Sequence, residues 1–432
     1  MLKFIKSEYF LKKTFCLIST KIRLQLVNQN KNLQKKLSIS INDYINFFYQ
    51  IEIEINPINN LDDDEKKNIF INIPEKEKAF FHIYFNNDIN KEIDRNYLLK
   101  DDRVSKIKII IDKENKTFSS LFQNCAIIKE LKFTRFNRKD LTDMSGLFYN
   151  CTSLTNLDIA KMKTENVTDM RFMFGACSSL KELNLFNFNT NKVTNISGMF
   201  CKCNLLKSLD LSNFNTNNIT NMSCLFQSCS SLNKLIIANF NTINVTNMGL
   251  MFNSCSSLLK LDLSHFNTEK VTNMSCIFQS CSSLDELIIS NFDTKNVENM
   301  SFMFDRCSSL SNLNVSNFNT ENVYTMEGMF NGCSKLTKLN LANFNTSNVE
   351  NMSMMFSDCY ELEEINLDNF NTNKTYNMVE MFFGCKKLIN IDISRLNLRR
   401  AFNRNHIFSG CSQSLKQIIK SQNSNIKDID FE

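Results

Sequence analysis

The chain is poor in residues that bend and punctuate a fold. Its 432 residues include two prolines, eight glycines and no tryptophan. With so few of them, sharp proline and glycine turns and glycine-rich phosphate loops cannot be numerous. Three histidines, His82, His265 and His406, leave little material for acid–base catalysis or a zinc site. No GxxxxGK, GxSxG or HExxH motif appears, nor a paired His/Cys/Asp constellation, so neither an enzyme nor a cofactor or metal is expected. Excess charge is scarce too. Fifty Lys and Arg against 45 Asp and Glu give a net charge of +5, small for this length, so no nucleic-acid partner is expected. No apolar run reaches the roughly 18 residues of a membrane-spanning helix. In the opening "MLKFIKSEYFLKKTFCLIST", Lys12 and Lys13 break the apolar stretch, so no secretory leader is expected. The closing "DIDFE" holds no lipidation box.

What is abundant is repetition. Twelve cysteines, from Cys125 through Cys229 to Cys411, recur at intervals of 26 residues without an insertion. A fixed period of this size marks a solenoid in which each unit stacks on the last in one register. Within the unit "NMSCLFQSCSSLNKLIIANFNTINVT", Met222, Leu225, Phe226 and Cys229 are spaced i, i+3, i+4, i+7, which predicts one face of a short helix. Asn221 stands where its N-cap would be, and Asp143, Asp169, Asn195, Asn247 and Asn273 repeat the slot. After Cys229, Leu232, Leu235, Ile237 and Phe240 alternate as a strand buried on one face. Stacked copies would pair as a parallel sheet at about 4.8 Å per rung, so twelve rungs span on the order of 55 Å. Two phenylalanine columns, Phe122 to Phe408 and Phe188 to Phe370, and a methionine seam from Met170 to Met378 would fill the core.

The expected fold is therefore α/β: a solenoid of about twelve turns, each with one parallel strand and one short helix. Residues 1–100 carry no repeat. There "QIEIEINPI", "NIFINI" and "AFFHIYF" read as strands of a small α/β cap region, whose sheet edge meets the first rung near Ile107 to Ile111. The solenoid is placed at 101–420 and a polar tail at 421–432. A monomeric rod with capped ends is expected, because an open stack exposes an unpaired strand at each end. In the last turn Arg404 replaces the seam methionine and Arg395, Arg399 and Arg400 cluster, which reads as a charged edge against end-to-end association.

One thiol per rung, all pointing the same way, suits neither zinc nor disulfides, so the cysteines read as a reduced, buried ladder. Such thiols fit a reducing compartment, which predicts a cytoplasmic location. Triplets such as Asn166-Val-Thr168 arise from the repeat itself and read as unused glycosylation acceptors.

The unit "LDLSNFNTNNITNMSCLFQSCSSL" resembles the BspA-type leucine-rich repeat, over about 310 residues from near Val104 to Lys420. The resemblance implies a leucine-rich-repeat solenoid that binds proteins or host surfaces, with no catalytic residue. It also implies an alternative location, at the cell surface or secreted. Phe240 and its equivalents stand where such repeats place Asn or Cys, so the usual Asn ladder is expected to be missing.

Variation concentrates on the outward strand positions. Ile236 and Ile288 are apolar where the frame predicts solvent, with Phe186 at a nearby outward position and Lys234, Lys260, Asp262 and Glu286 around them. An exposed apolar set with a charged rim reads as a protein-binding patch, so these seven residues are the candidate partner site of a non-catalytic scaffold.

Overall fold

The computed structural model describes residues 22, 25–27, 30–37, 49–61, 63–112, 116–422, 426 and 428–431. The segment read for a leader lies outside the described residues. Before the repeats come helix α1 (Lys31–Leu37) and strands β1 (Ile51–Pro57), β2 (Phe81–Phe85) and β3 (Ile107–Ile111). "NIFINI" contributes no strand beyond an isolated bridge at Ile69, although Phe70 and Ile71 are buried. No described helix is long and apolar enough to cross a membrane.

The first turn supplies β4 (Ile128–Phe136), which pairs antiparallel with β1 and parallel with β5 (Asn156–Asp158). The strand that meets the first rung is thus β1, whereas Ile107–Ile111 lies one strand further out, between β1 and β2. Both strands alternate, with buried isoleucines on one face and charged residues among those on the other. Ile51, Ile53 and Ile55 are fully buried, while Glu52 and Glu54 face Lys108 and Lys106 at 3.2 and 3.0 Å. A strand with one apolar face and one charged face can close a stack and keep a wet outer side.

From Thr117 to Asn403 an unbroken series of parallel bridges links equivalent residues of twelve described turns. Phe122 and its equivalents form one column, with neighbouring ring centroids 5.3–5.9 Å apart and every pair stacked. Every ring in that column is buried.

The column explains why the expected helix is absent. The Met222–Cys229 stretch and its copies form a run of turns instead. An α-helix with its side chains is about 10–12 Å across. Rungs held less than 6 Å apart by the rings leave no room for one helix per turn. Alternate amides therefore reach into the next turn: Cys224 N–H to Gly249 O at 2.9 Å, Phe226 N–H to Met251 O at 2.9 Å, Ser228 N–H to Asn253 O at 2.7 Å. The amides between them close back three residues, as Gln227 N–H does on Cys224 O at 3.1 Å.

This path puts two slots per turn into the left-handed region, as at Cys224 (φ 56°) and Ser228 (φ 58°). Glycine occupies the first of these slots at Gly198 and Gly328, where the aromatic ring of the preceding turn lies over it. A Cβ on Gly328 would stand 2.4 Å from Phe302 Cε1. Gly328→Ala is therefore expected to cost about 1–3 kcal/mol in chemical denaturation, from overpacking on top of the left-handed backbone. Gly249, at an ordinary φ and facing Asn side chains, should tolerate alanine better.

Asn221 and its equivalents do cap, but they cap turns. Asn221 Oδ1 accepts from Ser223 N–H at 2.9 Å, two residues on, and Asn195 and Asn273 do the same to Ser197 and Ser275. The second end is closed by helix α2 (Gln413–Gln422) and the segment after it. His406 and Phe408 N–H bond to Ile429 and Asp430 O, and the Phe431 ring lies 6.0 Å from Phe408. The stretch read as a polar tail thus supplies a lid for the last turn. Arg404, read as part of an exposed charged edge, is instead turned inward, with Nε 3.2 Å from Asp430 Oδ1.

Candidate protein-binding face

The interior of each turn is chemically complete. Each ladder thiol below the first donates to a phenylalanine carbonyl of the turn before, as Cys229 does to Phe200 O at 3.1 Å and Cys255 to Phe226 O at 3.1 Å. Burial pushes the thiols of Cys177, Cys229, Cys281 and Cys333 up to about 12, so they stay protonated at neutral pH. Thiolate is the nucleophile and the metal ligand, so these thiols are inert in the fold.

Two polar ladders escaped the sequence reading. Thr216 Oγ1 donates to Asn241 O at 2.9 Å and accepts from Asn241 N–H at 2.7 Å, and Thr320 does both with Asn345. An Asn ladder also exists, one residue before the phenylalanine where its absence was expected. Asn187, Asn213, Asn239, Asn291 and Asn317 each donate Nδ2 to carbonyls of the preceding turn, and His265 Nε2 takes the same role at 3.0 Å from Ile237 O. The Phe packs inward and its neighbour supplies the amide, so the two functions of one slot are split over two residues. The glycosylation triplets are engaged in the same way, with Asn166 Nδ2 on Lys139 O at 2.7 Å.

With the interior closed, recognition is left to outward side chains. The strand ladder is not continuous. β6 (Ser208–Asp210) pairs with β7 (Lys234–Ile236), β8 (Lys260–Asp262) with β9 (Glu286–Ile288), and β10 (Lys338–Leu339) with β11 (Glu364–Ile365) and β12 (Asn390–Ile391). Between β5 and β6 the third turn, around Glu182 to Asn184, joins no strand ladder. A groove of about 790 Å³ opens there, lined among others by Lys181, Glu182, Leu183, Phe186 and Asp210.

The candidate residues fall into two places. Phe186 stands at this groove with 85% of its surface exposed. The other six lie on β7, β8 and β9, where Ile236 and Ile288 are half-buried and Lys234, Lys260, Asp262 and Glu286 exposed. Lys260 Nζ pairs with Glu286 Oε2 at 2.7 Å, so that part of the rim is partly self-neutralised. The Asp262 carboxyl is held below its ordinary range by the Ser264 amide, 2.9 Å away. Sequence reading missed Leu259, which is 60% exposed in the turn between Ile236 and Ile288. The signal was present: that slot is Lys181, Lys207, Asn233 and Asp285 in neighbouring turns.

A family model described as "Mycoplasma protein of unknown function, DUF285" matches residues 116–209, 202–313 and 303–422, which is the span of the stacked turns and α2. The chain belongs to this family. No curated protein matches it. Among solved structures, a leucine-rich repeat protein from Bacteroides ovatus is similar over 76% of this DUF285 chain and 88% of its own, at 17% identity and a TM-score of 0.29. The TLR13–ssRNA13 complex matches 52% of this chain and 42% of that one, at 18% identity and a TM-score of 0.18. In its own geometry the DUF285 chain is a repeat protein of leucine-rich, strand-bearing turns.

Proposed function

We propose that this DUF285 chain is a non-catalytic protein-binding scaffold, a leucine-rich-repeat solenoid of BspA-like kind that acts inside the cell. The observation that carries the reading is Phe186, 85% exposed at the groove where the third turn joins no strand ladder. Large aromatic rings are seldom left so bare on a soluble surface unless something covers them. Ile236 and Ile288 add half-buried apolar surface on β7 and β9, and Leu259 adds exposed apolar surface just before β8, with Lys234, Lys260, Asp262 and Glu286 beside them.

A photo-crosslinking residue at position 186 in native cells tests the reading. A discrete protein adduct is expected, and it should disappear when Ile236→Asp and Ile288→Asp are added while the melting curve stays unchanged. An adduct pattern indifferent to both substitutions sinks the idea. The resemblance to surface repeats supports a second reading, an adhesin binding host or extracellular proteins. Protease shaving of intact cells separates the two: a C-terminal tag cut away while a cytosolic control survives favours the adhesin.

A further inference from the structure

One row of outward positions changes character half-way along the stack. It lies just before the capping Asn slot, apart from the strand face. In Thr142, Thr168, Thr194, Thr220, Thr246 and Thr272 the hydroxyl donates back to the carbonyl of the turn before. That half of the row is self-satisfied. The next turns carry Glu298, Tyr324, Glu350 and Tyr376, and Phe402 stands in the same slot of the last turn. Their backbones stay in register: Tyr324 N–H bonds Glu298 O at 3.0 Å, Glu350 N–H bonds Tyr324 O at 2.8 Å, and Tyr376 N–H bonds Glu350 O at 3.0 Å. Tyr324 and Tyr376 are 47% and 49% exposed and Phe402 is 89% exposed, while both glutamates lie open to solvent.

We infer that this row is a docking strip for a cationic polyproline II segment of a partner protein. Two hydrogen-bonded rungs separate Tyr324 from Tyr376, about 9.6 Å at the spacing of paired strands. Three residues of polyproline II rise about 9.3 Å, so every third side chain of such a segment keeps step with the tyrosines. Exposed aromatic rings in a row are the surface on which that helix docks, because its rigid backbone loses little freedom on binding. Glu350 sits between the rings and Glu298 beside them, placed to pair with arginine or lysine on the segment, and the rings add cation–π attraction. Around the two tyrosines the surroundings favour positive charge. The residues flanking Glu298 to Tyr376 are Asn296, Asn322, Asn348 and Lys374, and the lysine Nζ is held on Asn348 Oδ1 at 2.7 Å. Arg400 fills the same slot beside Phe402, so the stretch open to a cation ends at Tyr376. On the other flank Glu327 adds a further carboxylate, which accepts from Asn351 Nδ2 at 3.1 Å.

The test uses the full chain and a fluorescein-labelled Arg-Pro-Pro repeat peptide of about twelve residues, long enough to cover the row. Anisotropy should show binding that weakens with salt. Tyr324→Ala with Tyr376→Ala should weaken it about ten-fold, and Glu298→Gln with Glu350→Gln by a similar factor. All four positions are exposed, so thermal melting should stay near that of the unaltered chain. A Glu-Pro-Pro peptide should not bind. No measurable binding of the Arg-Pro-Pro peptide, or variants that bind it as the unaltered chain does, overturns the proposal. Equal affinity for a flexible Arg-Gly-Ser repeat of the same charge also overturns it, since the matched period would then be irrelevant.

Discussion

Phe252→Ala is expected to destabilise the protein by about 3–5 kcal/mol. The ring lies between Phe226 and Phe278, with centroids 5.5 and 5.9 Å away, and has no exposed surface. Removing it leaves a cavity with a stacked ring on each side, and the surrounding backbone has little freedom to collapse into it. Phe252 N–H is bonded to Ile277 O and Phe226 N–H to Met251 O, which fixes the spacing of the turns on either side. Urea denaturation with parallel hydrogen exchange is the measurement. In a stack where each turn touches only its neighbours, protection should fall first in the turns around Phe252 and later towards the ends. A loss below about 1 kcal/mol would mean that the column is not what holds the turns together.

The second large effect is expected at the C-terminal end. Asp430→Ala should release the lid over the last turn. The Asp430 side chain is fully buried and that of Arg404 is 12% exposed, with 3.2 Å between Nε and Oδ1. Removing one member of a buried ion pair typically costs about 3–5 kcal/mol, because the charge left behind has been taken out of water. Arg404 would keep its bond from Nη1 to Leu398 O at 2.6 Å. The guanidinium would still lack its carboxylate, and fraying of the last turn is the cheapest way to return it to solvent. Amide exchange at His406 and Phe408, whose N–H groups bond to the lid, should therefore accelerate well before the central turns respond. Unchanged protection at these two amides would show that α2 holds the end without the ion pair. Adding Arg404→Met, the residue most other turns carry in that slot, should make Asp430→Ala milder than it is alone, since no charge is then stranded.

Much of the architecture was legible in the chain. Cysteines at a constant 26-residue spacing carried the register, and the phenylalanine and methionine columns followed from it. The alternation of "QIEIEINPI" marked the capping strand, although its place next to the first turn was not readable from it. The helix expectation failed for an identifiable reason. An i, i+3, i+4, i+7 pattern reports which side chains share a face, and a run of turns with two left-handed residues can present the same four inward. Glycine was the available warning. Six of the eight glycines, Gly146, Gly198, Gly328, Gly332, Gly384 and Gly410, occupy the two left-handed slots. The candidate face was legible only as separate residues. That Phe186 borders a groove and that Lys260 is partly neutralised by Glu286 both depend on neighbours one turn away.

What the sequence determined by itself is the period, the contents of the interior and the face left free to vary. These are properties of each 26-residue unit, stated again in every copy, so no knowledge of the stack is needed to read them. Tertiary structure alone decided where the backbone amides go, which strands pair, and which outward side chains become neighbours. An amide of Phe226 can bond within its own turn or to the next, and the choice is made only when the rings set the turns less than 6 Å apart. At that distance the inter-turn bond is within reach and a helix per turn is too wide, so packing between copies chose the local structure.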